Sequence, residues 1–132
     1  MADGRIVRTI VYDTGALLAA ERRDPDLLAL HDELTAAHIR PLVPVVVLAQ
    51  AWRGGPQHQI SRALKGCDVL SDDQRTGRAA GVVCKSSGTT EVVDAIVVVT
   101  AVRYQASVVT SDPDDLTRLA ESIGVKLKLF IV

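Results

Sequence analysis

Residues 89–105, TTEVVDAIVVVTAVRYQ, admit two readings, and the choice between them sets the fold. Valine and isoleucine crowd the middle, and β-branched side chains favour a strand. The run is nevertheless too long for an ordinary strand of about 3–10 residues. With Thr89 or Thr90 as its cap, it reads as a helix buried on all sides. Asp94 sits inside that helix between Val93 and Ala95. A carboxylate in so apolar a helix is costly unless it is paired or bound to a cation.

Outward from this helix, strand and helix signals alternate. Residues 6–12 read as a strand that runs into Asp13-Thr14-Gly15, and 14–23 as a short helix. Asp24-Pro25 opens a second helix, with Leu27, Leu28, Leu30 and Leu34 largely on one face. Residues 39–44 form a strand broken by Pro44, 45–53 a helix, 54–56 a Gly-Gly-Pro turn, 57–66 a helix and 67–70 a strand. A helix capped by Ser71, with acids in its first turn, stops in the Ser/Gly stretch before residue 89. After the buried helix come a strand at 106–111, a helix at 112–124 and a last strand at 126–132. Five short strands separated by helices predict a parallel sheet covered on both faces.

Composition narrows the function. At 132 residues, 48% of them hydrophobic, the chain is expected to be a single domain with a real core. Aromatic residues make up only 3%, so that core is aliphatic. The formal net charge of -1 argues against a broad basic surface for nucleic acid, though not against a small site that reaches phosphates through a metal. The first residues lack a signal-like apolar segment, and the run Ala95 to Val99 falls far short of the roughly 18 apolar residues a bilayer span needs. Cys67 and Cys84 lack metal-ligand spacing and read as core thiols of a reducing compartment, while His31, His38 and His58 read as surface residues. A soluble cytoplasmic protein with no membrane association is the expectation.

In open parallel sheets ligands bind beyond the carboxyl ends of the strands. Asp13 follows the first strand and Asp112 the fourth, so the two share a crevice if those strands are neighbours. Each acid has a plainer explanation. Asp112 before Pro113, with Asp115 three residues on, has the pattern of a helix cap. Glu91 in a first helical turn suits the macrodipole, and Asp13 can end its strand by bonding nearby backbone. Asp94 has no such outlet. Two carboxylates about 4 Å apart repel by roughly 4 kcal/mol at an effective dielectric near 20. A cluster of them raises its own pKa values or binds a cation, and oxygen donors without His or Cys suit Mg2+ or Mn2+. The small residues after Asp13 are expected to leave room for that ion and a substrate backbone.

VYDTGALLA, VPVVVLAQAWR, EVVDAIVVVTA and VVTSDPDDL follow one another in this order across nearly the whole chain. The ordered set resembles the PIN-domain ribonucleases, in particular the VapC-like toxins of bacterial toxin–antitoxin pairs. The resemblance implies a three-layer α/β/α sandwich and a Mg2+-dependent endoribonuclease. It further implies a homodimer held in check by a cognate antitoxin protein. On it Asp13, Asp94 and Asp112 match three acidic metal-binding positions. Gln50 departs from the pattern, because that family usually has a glutamate there. Glu91, three residues before Asp94, is the candidate replacement for the lost charge, and Gln50 and Asp115 are candidates for a neutral or supporting role. Thr14 and Arg53 are the candidates for RNA contact, Arg53 beside Trp52 in a Gly-rich turn that can hold a phosphate and an unpaired base. The plainer reading there puts Trp52 in the core and Arg53 in solvent.

Two other acidic α/β architectures fit less well. A receiver-like phosphoacceptor wants an aspartate after the third strand, where Ser71 stands. A haloacid-dehalogenase-like phosphatase wants a second aspartate two residues after the first, where Gly15 stands. The closer competitor is a PIN domain without catalysis that only binds RNA or a protein, given Gln50.

Overall fold

In the computed structural model, which describes residues 9–132, five parallel strands run in the order β3-β2-β1-β4-β5. They are β1 (Ile10–Tyr12), β2 (Leu42–Pro44), β3 (Asp68–Leu70), β4 (Ser107–Thr110) and β5 (Leu129–Ile131). The helices are α1 (Thr14–Glu21), α2 (Pro25–Ala36), α3 (Val45–Ala51), α4 (His58–Leu64), α5 (Gln74–Ser87), α6 (Val92–Tyr104) and α7 (Pro113–Ser122). Positions 6–8 of the expected first strand lie outside the described residues.

The sheet grows from β1 in both directions, to β2 and β3 on one side and to β4 and β5 on the other. Right-handed crossovers in opposite directions put their helices on opposite faces. Accordingly α1 packs with α2, α3 and α4, whereas α5, α6 and α7 pack with one another. The result is the three-layer α/β/α sandwich, with its topological switch between β1 and β4. Ile10, Val11 and Tyr12 of β1 and Val108 and Val109 of β4 are fully buried. Among the described residues, no helix is long and apolar enough to cross a membrane.

Residues 92–104 are helical despite their β-branched middle. Ala95, Ile96, Val97, Val98 and Ala101 are all buried, so packing on both sides outweighs the modest propensity penalty of valine. Thr100, also buried, satisfies its hydroxyl by donating to the Ile96 carbonyl at 2.7 Å. The start differs from expectation. Glu91, not a threonine, is the cap residue, and its N–H donates to Thr89 Oγ1 at 3.1 Å. α5 likewise begins later than Ser71: Asp73 caps it by accepting from the Thr76 N–H at 2.8 Å, and Asp72 and Asp73 precede the first turn. Asp24 caps α2 as its sequence predicts, accepting from the N–H groups of Asp26 and Leu27.

His31 is not a surface residue. It is half-buried on α2, and its Nδ1 shares a 2.8 Å hydrogen bond with the hydroxyl of buried Tyr12, while His38 and His58 are exposed. Burial pushes the Tyr12 hydroxyl up and His31 down from their ordinary values. Cys67 is a core thiol, pushed up to about 12 by burial, and Cys84 is half-buried.

Candidate acidic site

β1 and β4 are paired in register, Tyr12 opposite Val109, so the residues after both strands emerge together at the carboxyl edge of the sheet. Asp13 is held there twice by its backbone and side chain. Its N–H donates to the Val109 carbonyl at 3.2 Å, and its carboxylate accepts from the Ala16 N–H at 2.9 Å, capping α1. It is only 6% exposed. Burial drives its carboxyl above the usual range against the hydrogen bonds from Thr110 and Ala16, and the charge of Asp112 adds to the rise.

Thr110, fully buried at the end of β4, joins the two acids. Its side chain favours the charged form of the Asp13 carboxyl, and its oxygen accepts the Asp112 N–H at 2.9 Å. Sequence reasoning passed over this residue. The available signal was a hydroxyl closing an otherwise aliphatic strand, where a buried polar atom needs a partner. Asp112 itself makes no capping bond to α7, and Asp115, its expected capping partner, pairs with Arg118 at 2.8 Å. The helix-cap explanation of Asp112 therefore does not hold.

Asp94 enters from the first turn of α6, which packs on β1 and β4. It is half-buried, and its carboxyl is pushed up to about 6. Burial is the largest cause, followed by the negative charges of Asp13, Asp115, Glu91 and Asp112. Every charged neighbour acting on it is an acid. Glu91 lies just ahead of the helix, not inside its first turn, and is exposed with no capping bond. Among the described residues, no three of these side chains close to a geometry that could hold a metal ion as they stand. The acids thus share a field without forming a finished chelate.

Gln50 stands in the last turn of α3, exposed, with its Oε1 accepting from Thr14 Oγ1 at 2.6 Å. Thr14 is thereby engaged within the protein. Arg53 is folded back: its guanidinium donates to the carbonyls of Ala49 and Trp52, and its N–H donates to Gln57 Oε1 at 2.6 Å. It closes the end of α3, and Trp52 is surface-exposed at 37% rather than in the core. Gly15 also has a different reason from the one expected. A Cβ there would run into Ser111, both its Oγ and its backbone, so the glycine lets the β4–α7 connection press against α1. This close approach brings the Asp13 and Asp112 segments together.

No protein-family model matches the sequence, and no curated protein matches it significantly. Solved structures do match. The chain is similar to one in the complex of VapBC2 from Rickettsia felis bound to a DNA fragment from their promoter, with a TM-score of 0.69 and 17% identity over 94% of this chain and 98% of that one. It is also similar to a chain of a toxin–antitoxin complex from Klebsiella pneumoniae, with a TM-score of 0.64 and 17% identity over 81% of this chain and 88% of that one. At this identity the likeness establishes the fold, a PIN-like sandwich of the kind found in toxin–antitoxin complexes.

Proposed function

We propose that this chain is a divalent-metal-dependent endoribonuclease acting as the toxin of a toxin–antitoxin pair. The observation that carries the reading is Asp94, raised to about 6 on the apolar helix α6 by burial and by four surrounding acids. Such an unbalanced group is destabilising unless a cation completes it. Carboxylate oxygens with excess negative charge fit a hard ion such as Mg2+, with Mn2+ as a substitute. Asp13, Asp94 and Asp112 would hold the ion, with Glu91 supplying further negative charge in place of the acid missing at Gln50. When bound, the ion supplies an activated water and charge stabilisation for phosphodiester hydrolysis.

The chain's own residues prepare that site. The Ala16 N–H fixes the carboxylate of Asp13, Thr110 holds the backbone of Asp112, and Gly15 keeps their two segments in contact. Both structural likenesses come from toxin–antitoxin complexes, which supports a cognate antitoxin protein as partner. A homodimer is part of the same proposal.

A second reading, a PIN-like domain that binds RNA or protein without cleaving, is favoured by neutral Gln50. Cleavage separates the two. Purified, antitoxin-free protein is incubated with total cellular RNA in Mg2+, Mn2+ or EDTA, beside an Asp94→Ala control. The nuclease reading expects discrete metal-dependent fragments missing from the control. Intact RNA in every arm, from folded protein, would leave the binding-only reading standing.

A further inference from the structure

Gln50 differs from the acids of the crevice in carrying donors. An amide offers one carbonyl oxygen and two N–H donors, whereas ionised carboxylates only accept. Thr14, the first residue of α1 and the neighbour of Asp13, donates its hydroxyl to Gln50 Oε1 at 2.6 Å, across the contact between α1 and α3. That bond turns the carbonyl towards Thr14 and the amide nitrogen away from it. Among the described residues, Nε2 has no hydrogen-bond partner. A neutral carbonyl already accepting a short hydrogen bond is a poor competitor, as a ligand, to a carboxylate such as that of Asp13, the neighbour of Thr14.

An RNA backbone entering a crevice lined by Asp13, Asp94, Glu91 and Asp112 meets repulsion from every charged group that shapes it. A donor without negative charge at that edge has an evident use. We infer that Gln50 donates its side-chain N–H to a non-bridging phosphate oxygen of the RNA and is not a ligand to the cation. Thr14 is the positioning residue that holds the amide in this orientation. The inference rests on the metal-dependent nuclease reading and says which member of the site meets the substrate.

The test separates the two binding events. Mn2+ affinity is measured by calorimetry, and binding of a single-stranded RNA oligonucleotide by fluorescence anisotropy in Ca2+, with its integrity checked on a gel. Gln50→Ala and Thr14→Val are each expected to leave Mn2+ affinity within about twofold and to weaken RNA binding about tenfold, the scale of a lost hydrogen bond to a charged group. Thr14→Ser keeps the hydroxyl and is expected to bind RNA like the unaltered protein. The double variant is expected to weaken binding no further than Gln50→Ala, because the two residues act as one unit. A loss of Mn2+ affinity of about tenfold or more in Gln50→Ala would make Gln50 a ligand and overturn the inference. Unchanged RNA binding in Gln50→Ala would overturn it as well. If the unaltered protein binds no Mn2+, the metal reading beneath it falls first; Mn2+ binding with Gln50→Ala indistinguishable in RNA binding sinks the inference alone.

Discussion

Asp24 and Asp73 stand where Asp112 stands, at the start of a helix, and they do different work. Asp24 accepts from the Asp26 and Leu27 N–H groups, and Asp73 from that of Thr76. The Thr76 hydrogen bonds hold the Asp73 carboxyl below its ordinary value. Asp112 has the same local sequence logic, proline included, yet leaves the first turn of α7 uncapped. The difference is position in the fold. Asp112 follows β4, beside β1, so its charge acts on Asp13 and Asp94; Asp73 follows the edge strand β3, and its nearest ionic partner is a cation, Arg103 at 3.8 Å. In the site proposed for this chain, an Asp112 that leaves its helix uncapped keeps its carboxylate for the cation.

The comparison is sharpest in a pair of substitutions. Asp112→Ala is expected to lower metal-dependent cleavage about a hundredfold or more, several kcal/mol of lost charge stabilisation, while leaving the melting midpoint nearly unchanged. Asp73→Ala is expected to do the reverse, lowering the melting midpoint and sparing cleavage. Denaturation curves and initial rates on the same preparations decide both. If Asp112→Ala destabilises as much as Asp73→Ala, Asp112 caps in solution and the distinction fails.

Gly15→Ala follows in size. In a helix, alanine ordinarily gains about 1 kcal/mol over glycine. Here the added methyl meets Ser111, and the expectation is a net loss of about 1–2 kcal/mol with reduced cleavage, because the two acid-bearing segments are forced apart. A stabilised, fully active variant would show that the close approach is not needed.

The pH dependence is smaller and has opposite signs for activity and stability. Cleavage is expected to rise as pH passes through about 6, where Asp94 loses its proton and becomes able to hold a cation. Stability without metal runs the other way. A carboxyl whose folded pKa exceeds its unfolded value binds protons more tightly when folded, so this group's contribution is best below pH 3.8 and declines as pH rises towards about 6. After allowance for its partial exposure, the decline amounts to about 1–2 kcal/mol. A pH-rate profile flat between pH 5 and 7 would remove Asp94 from the reaction.

The sheet and its helices were legible because hydrophobic runs of the right length, Asp24-Pro25 and Gly124 punctuate the chain, and because residues 89–105 were too long for a strand. Asp13, Asp94 and Asp112 were legible as acids at strand ends or in apolar surroundings. Their interplay with Thr110, Gly15 and Thr14 was not. Those depend on β1 and β4 being neighbours and on α1 meeting both Ser111 and Gln50, which are contacts between segments far apart in the chain. Caps were misplaced at Ser71 and Thr89 because several candidate cap residues stood side by side, and the choice among them is made by backbone direction. Arg53 looked free beside glycines, yet the turn curls it back onto the end of α3.

If the acids around Asp94 form a charge cluster that a cation completes, thermal melting at pH 7 registers it. Protein with and without Mn2+ is compared with Asp94→Asn, whose side chain is close in shape but neutral. The variant is expected to melt higher than the unaltered protein when no metal is present, by the equivalent of about 1–2 kcal/mol, and Mn2+ is expected to raise the midpoint of the unaltered protein alone. A variant that melts lower without metal, beside an unaltered protein indifferent to Mn2+, would contradict it.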